Sequence, residues 1–167
     1  AINDAFSSDI ISFYPGVSYR HIMVWDKGPY SFTLTPPHDI LERKVADYIP
    51  KGEGSEVIYN MMVKSYDILN NHPVNLARAE RGLKKANSIW IWGEGKKPLL
   101  SDFYEKYGLK GTVISAVDLI KGIGMCAGLN VVDVEGATGN VHTNYKGKAD
   151  AALNAIKNGS DYVYIHL

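Results

Sequence analysis

Residues 86–167 alternate short apolar runs with amphipathic stretches, and this alternation constrains the fold more than any other feature of the chain. Ser88 to Trp92, Thr112 to Ile114, Asn130 to Val134 and Asp161 to Leu167 read as strands. Ser101 to Tyr107, Ala116 to Ala127 and Lys148 to Lys157 read as helices. Gly108, Gly128 and Gly159 stand where each must stop, because glycine takes the left-handed terminating conformation without steric penalty. Ser115, with Asp118 three residues later, offers a capping box for the second of these helices. Strand, helix, strand at this spacing predicts parallel βαβ units with right-handed crossovers. In open parallel sheets the chemistry lies beyond the carboxyl ends of the strands. The last predicted strand, Tyr162-Val-Tyr-Ile-His-Leu167, runs to the end of the chain. The expectation is therefore a fragment, part of a larger sheet.

Residues 1–85 are punctuated differently. They hold six of the seven prolines but five of the sixteen glycines, so the architecture is expected to change near Lys85 to Asn87. Ser12 to Tyr14 and Arg20 to Trp25 flank Pro15 and Gly16 as an antiparallel hairpin, and Ser31 to Thr35 reads as a further short strand before Pro36 and Pro37. Ser55 is placed to cap a helix whose Ile58, Met61, Met62, Ile68 and Leu69 keep amphipathic spacing through Asn70. A second helix starts at Pro73, suited to a first-turn position, and runs to about Arg81 before Gly82. The expected class is α/β: an α+β part with a small antiparallel sheet over residues 1–85, and a partial parallel α/β core over 86–167.

Charge and composition exclude several classes of function. Eighteen Lys and Arg balance eighteen Asp and Glu, and the balance holds on both sides of residue 85, so no basic half exists to neutralise nucleic-acid phosphates. No apolar run approaches the roughly 20 residues of a membrane span, and Ala1 to Ile10 carries no secretory signal pattern. A single cysteine, Cys126, forms no internal disulfide, in keeping with a reducing, cytoplasmic setting.

The chemistry-bearing motifs are sparse. The glycines of Lys121-Gly-Ile-Gly-Met-Cys-Ala-Gly128 fall late in a helix, whereas a dinucleotide fingerprint must follow a strand and open a helix, so close helix packing is the better reading. Glu135-Gly-Ala-Thr-Gly139 does follow a strand and reads either as a plain turn or as a backbone cradle for an anion. The five histidines, His21, His38, His72, His142 and His166, show no metal-ligand spacing, and no Gly-x-Ser-x-Gly elbow occurs. Cys126, beside Met125 and Ala127, reads as an inert thiol. What remains is a set of polar groups in irregular segments: Arg20 after the Pro-Gly turn, and His38 with Asp39 in the rigid Pro-Pro loop. Each is readable as a surface group or as an anion contact, for which guanidinium is well suited.

Five ordered motifs carry a family resemblance. They are Phe13-Tyr-Pro-Gly-Val-Ser-Tyr-Arg-His21, Thr35-Pro-Pro-His-Asp39, Asn87-Ser-Ile-Trp-Ile-Trp-Gly-Glu-Gly95, Val113-Ile-Ser-Ala-Val-Asp-Leu-Ile-Lys-Gly-Ile-Gly124, and Gly136-Ala-Thr-Gly through Thr143-Asn-Tyr-Lys-Gly-Lys148. Together they resemble the cofactor-independent phosphoglycerate mutases of the archaeal type, in the alkaline phosphatase superfamily. The resemblance implies a substrate-clamping cap over residues 1–85 and part of the metal-bearing core over 86–167. It implies interconversion of 2- and 3-phosphoglycerate through a phosphoserine, assisted by two divalent metals, manganese or zinc. By position in the motifs, Arg20, His38, Asp39 and, in the core, Lys121 are the implied substrate contacts. The nucleophile and metal ligands of the family fall in segments this chain lacks, so no catalytic or metal-ligating residue is expected within it. The alternatives are a phosphatase or another phospho- or phosphonate-substrate enzyme of the superfamily, or a non-catalytic anion-binding module.

Overall fold

The computed structural model describes residues 1–167, which form two compact units, Ala1–Lys96 and Lys97–Leu167. In the first unit a short helix α1 (Ile2–Phe6) precedes the strands β1 (Ile11–Pro15) and β2 (His21–Trp25). The two strands pair antiparallel from Ile11 opposite Trp25 to Pro15 opposite His21. β2 alternates as a half-buried strand must: Met23 and Trp25 turn inward, whereas Ile22 and Val24 are exposed. Helices α2 (Ser55–Leu69) and α3 (Pro73–Glu80) follow two short 3-10 turns at Pro37–Asp39 and Val45–Tyr48. The core gathers Phe32, Leu34, Ile58 and Met62, with Met23, Trp25, Ile89, Trp90 and Ile91 packed against it. Complete burial of a side chain such as Ile58 contributes about 1.5–3 kcal/mol.

Several expectations for this unit are corrected. Ser31 to Thr35 is not a strand but makes one isolated bridge, Thr33 to Lys51. Ser55 does not cap α2: Gly54, in left-handed backbone, holds the N-cap position, and the Ser55 hydroxyl donates to the Gly52 carbonyl. Ser88 to Trp92 does not join the parallel sheet. It is an extended strap fastened to the first unit by hydrogen bonds that involve side chains. The Ile89 N–H donates to Ser65 Oγ at 2.9 Å, and Asn75 bonds both the N–H and the carbonyl of Ala86, each at 2.8 Å. Trp90 Nε1 donates to the Thr35 carbonyl at 2.7 Å, and Glu94 accepts from the Leu34 N–H at 3.1 Å. These bonds group the strap with the first unit, so the structural division falls after Lys96 rather than near Lys85.

The second unit keeps the predicted alternation. Its elements are α4 (Phe103–Tyr107), β3 (Gly111–Ile114), α5 (Asp118–Cys126), β4 (Asn130–Val132), α6 (Tyr145–Lys157) and β5 (Tyr162–Ile165). The three strands are parallel in the order β4-β3-β5. β3, flanked on both sides, is almost wholly buried at Thr112, Val113 and Ile114. Asp102 caps α4 by accepting from the Glu105 N–H, and Gly108 closes it in left-handed backbone. The expected capping box of α5 is absent. Its N-cap is Val117, and the Ser115 hydroxyl accepts from the Val117 N–H one turn earlier. α6 begins three residues before the predicted Lys148, with the Asn144 side chain accepting from the Gly147 N–H.

Of the two glycines inside α5, Gly124 packs closely as the pattern predicts, whereas Gly122 faces open space. A Cβ on Gly124 would stand 2.5 Å from Val113 Cγ1 of the buried strand. Gly124→Ala should gain about 0.5–1 kcal/mol of helix propensity but lose about 1–3 kcal/mol to overpacking. A net fall in urea-unfolding stability is expected; a stabilised variant would contradict the close contact.

Candidate functional site

The parallel register brings three polar side chains level at the carboxyl edge of the second unit. Ile114 stands opposite Val132 on one side and Ile165 on the other, so the next residues, Ser115, Asp133 and His166, leave the sheet side by side. With β3 in the middle, the chain turns from β4 to β5 across it, which makes the carboxyl ends of β3 and β5 a topological switch point, where open α/β sheets form their crevices. His166 is tied there by its N–H, which donates to the Ile114 carbonyl at 2.9 Å, while its buried Nδ1 has no hydrogen-bond partner. A buried nitrogen left unpaired is uncommon in folded proteins.

Lys121 stands at the same edge. It projects from α5 to Asp133 as an ion pair, with its side chain 24% and that of Asp133 82% exposed. The sequence left Lys121 between a substrate contact and a solvated side chain; the structure gives it a carboxylate partner. A pair so open to solvent is worth about 0–1 kcal/mol.

The cap-motif residues lie in the first unit. Arg20 follows the turn between β1 and β2, where its N–H donates to the Val17 carbonyl, and its exposed guanidinium lies 5.0 Å from the Tyr19 ring centroid. His38 and Asp39 share the 3-10 turn at Pro37–Asp39, and His38 Nε2 lies 3.8 Å from Asp39 Oδ1. The His38 ring meets Trp92 edge to face at 5.2 Å, which links the Pro-Pro loop to the strap. The structure thus brings His38 and Asp39 together. No hydrogen bond or ion pair connects Arg20 with them.

One residue escaped the sequence reading. Lys148 is fully buried on α6, and its Nζ donates to the Thr138 carbonyl at 3.3 Å. Placing the helix start at Lys148 hid its meaning. With α6 beginning at Tyr145, Lys148 falls one turn before the buried Ala152, so the legible signal was a lysine within an apolar helix face. No group of three or more His, Cys, Asp or Glu side chains converges in the chain, so its own residues do not compose a site for the divalent metals that the resemblance implies. No helix is long and apolar enough to cross a membrane.

By fold the chain is a mixed α/β protein, an antiparallel hairpin unit followed by a parallel-sheet unit with polar groups at the strand exits. A family model described as 2,3-bisphosphoglycerate-independent phosphoglycerate mutase matches residues 1–75. A probable 2,3-bisphosphoglycerate-independent phosphoglycerate mutase of Geobacter sulfurreducens is 53% identical over 167 residues, covering 100% of this chain and 42% of its own length. The enzyme of that name from Methanothrix thermoacetophila is 51% identical over 155 residues, which are 92% of this chain and 39% of the relative. Among solved structures, a Pyrococcus horikoshii protein shares 34% identity with TM-score 0.60 over 67% of this chain and 29% of its own. The cofactor-independent phosphoglycerate mutase of Thermoplasma acidophilum shares the fold, at TM-score 0.59 and 24% identity, over 99% of this chain and 47% of its own. The chain is thus similar over its whole length to 2,3-bisphosphoglycerate-independent phosphoglycerate mutases, and it spans about 40% of the length of the curated relatives it matches.

If the Lys121–Asp133 pair is the surface contact its exposure implies, Asp133→Asn should change unfolding free energy by less than about 1 kcal/mol. A larger loss in denaturant titration would mean that Asp133 holds more of the edge than this one pair.

Proposed function

We propose that this chain is the cap and part of the core of a phosphoglycerate mutase that interconverts 2- and 3-phosphoglycerate, acting in the cytoplasm on a small phosphorylated acid. The observation that carries this reading is the 53% identity to a probable mutase across all 167 residues, which includes the five motifs. The fold fits it. Residues 1–85 contribute the hairpin and helices of a clamp, and the second unit offers a sheet edge at a switch point. The phosphoryl-accepting serine and the ligands of two divalent metals, manganese or zinc, would come from residues other than these. Metals in such a site polarise phosphoryl oxygens and clamp attacking and leaving groups.

The roles of this chain's residues follow from their chemistry. Arg20, exposed on its turn and free of carboxylates, is suited to a bidentate contact with phosphate or carboxylate. His38, held at its edge by Trp92, presents a donor to the substrate, with the Asp39 carboxylate 3.8 Å away. Lys121 is the weaker contact, since Asp133 already engages it.

The test is an assay of the family-length protein with manganese and 3-phosphoglycerate, in which 2-phosphoglycerate should form. Release of inorganic phosphate without 2-phosphoglycerate would replace the mutase reading by a phosphatase. In that protein Arg20→Ala should lower kcat/KM about 10- to 100-fold, the loss of a charge-assisted contact of about 1.5–3 kcal/mol, with metal content unchanged. Unaltered kinetics would remove Arg20 from the site. The 167-residue chain by itself should give no turnover, and measurable activity would place the chemistry within it.

A further inference from the structure

Lys148 is the least explained side chain of the molecule. It is fully buried, yet no Asp or Glu forms an ion pair with it, and its one hydrogen bond is the long contact with the Thr138 carbonyl. Its neighbour along α6 makes the contrast plain: Lys146 is solvated and bonded to Asp150, whose carboxylate holds the lysine above its ordinary range. An ammonium carries three donors, and an interior cation without a counterion is costly unless other groups compensate it. Two donors of Lys148 have no partner in the chain.

The Thr138 contact gives the buried cation an outlet to the surface. A trans peptide holds its C=O and N–H antiparallel in one plane, and the chain contains no cis peptide. Holding the Thr138 carbonyl inward on Lys148 therefore turns the Gly139 N–H of the same peptide outward. The ammonium also polarises that peptide and strengthens its N–H as a donor. Around it the loop is fastened at several points. The Thr138 N–H donates to Thr143 Oγ1, Asn144 Nδ2 donates to the Glu135 carbonyl, and the His142 N–H donates to Asn140 Oδ1. The three N–H groups between these ties, of Gly139, Asn140 and Val141, donate to nothing in the chain and lie in exposed residues. Consecutive free backbone N–H groups backed by a buried positive charge compose a site for an oxyanion.

We propose that Gly139, Asn140 and Val141 bind a phosphoryl group through their backbone N–H groups, and that Lys148 is the positioning residue that orients and charges this subsite through the Thr138–Gly139 peptide. The inference rests on the mutase reading for its natural occupant, the phosphoryl group of phosphoglycerate. The subsite itself requires only a phosphoryl ligand.

The test uses the family-length protein, followed through the backbone amide resonances of Gly139, Asn140 and Val141. Titration with inorganic phosphate or 3-phosphoglycerate should shift all three amides, while glycerate, which has the carboxylate but no phosphoryl group, should leave them in place. Shifts with glycerate alone would overturn the phosphoryl assignment, and no shift with any of the three would overturn the site. Lys148→Met, close in shape but uncharged, should weaken phosphate binding about tenfold, the effect of losing a charged group's contribution to a hydrogen-bonded anion. KM for phosphoglycerate should rise in parallel, with kcat and metal content less affected. Lys148→Arg should recover part of the affinity. A Lys148→Met protein that melts lower but binds phosphate as before would make Lys148 a purely structural post. Should that variant not fold, the amide titration of the unaltered protein still decides whether the subsite exists. Failure of the mutase reading looks different: no 2-phosphoglycerate would form, yet phosphate would still shift the three amides.

Discussion

The burial of β3 between two parallel neighbours is the constraint on which the second unit depends. Thr112, Val113 and Ile114 have almost no contact with solvent, so their faces must be filled from both sides. α5 meets that need only because Gly124 lets the helix approach Val113 without an intervening Cβ. The polar atom of the strand is satisfied as well, since the Thr112 hydroxyl bonds that of Ser160 at 2.7 Å. Once β3 is placed, the register of β4 and β5 is set, and with it the alignment of Ser115, Asp133 and His166 at one edge. The site is a consequence of packing rather than of any contiguous motif.

The first unit reaches its core by another route. A two-stranded sheet cannot cover a hydrophobic face unaided, so α2 and the strap of residues 87–94 complete it. Ser65 and Asn75 are buried polar residues that anchor the start of the strap, Asn75 through both backbone groups of Ala86 and Ser65 through the Ile89 N–H. The arrangement places Trp92 beside His38, and a loop with few internal bonds gains a fixed side.

Much of this order was legible in advance because it is local. The hairpin at Ile11–Trp25, the helix starting at Pro73, and the stops at Gly82, Gly108, Gly128 and Gly159 rest on residues within a few positions of one another. The errors share a cause. Ser88 to Trp92 alternates as a strand does, but Ser65, distant in sequence, took the Ile89 N–H, and Asn75 fixed the backbone just before it at Ala86. Ser115 and Asp118 have the spacing of a capping box, yet the chain leaving β3 must turn before α5 begins, and Ser115 serves that turn. Of the proposed contacts, Arg20, His38, Asp39 and Lys121 were legible as residue types in motifs. The burial of Lys148 and the orphaned Nδ1 of His166 were not, because both depend on what other segments bring around them.

The sequence by itself determined the class of fold, the order of elements in the second unit and the family resemblance, since these follow from periodicity, turn residues and motifs carried along the chain. Only the tertiary structure decided where the strap belongs, which lysine is buried and which is paired, and which three strand ends stand together. Those outcomes are settled by competition for a limited number of interior positions and hydrogen-bond partners. A residue's neighbours in sequence do not reveal which of its distant neighbours will win.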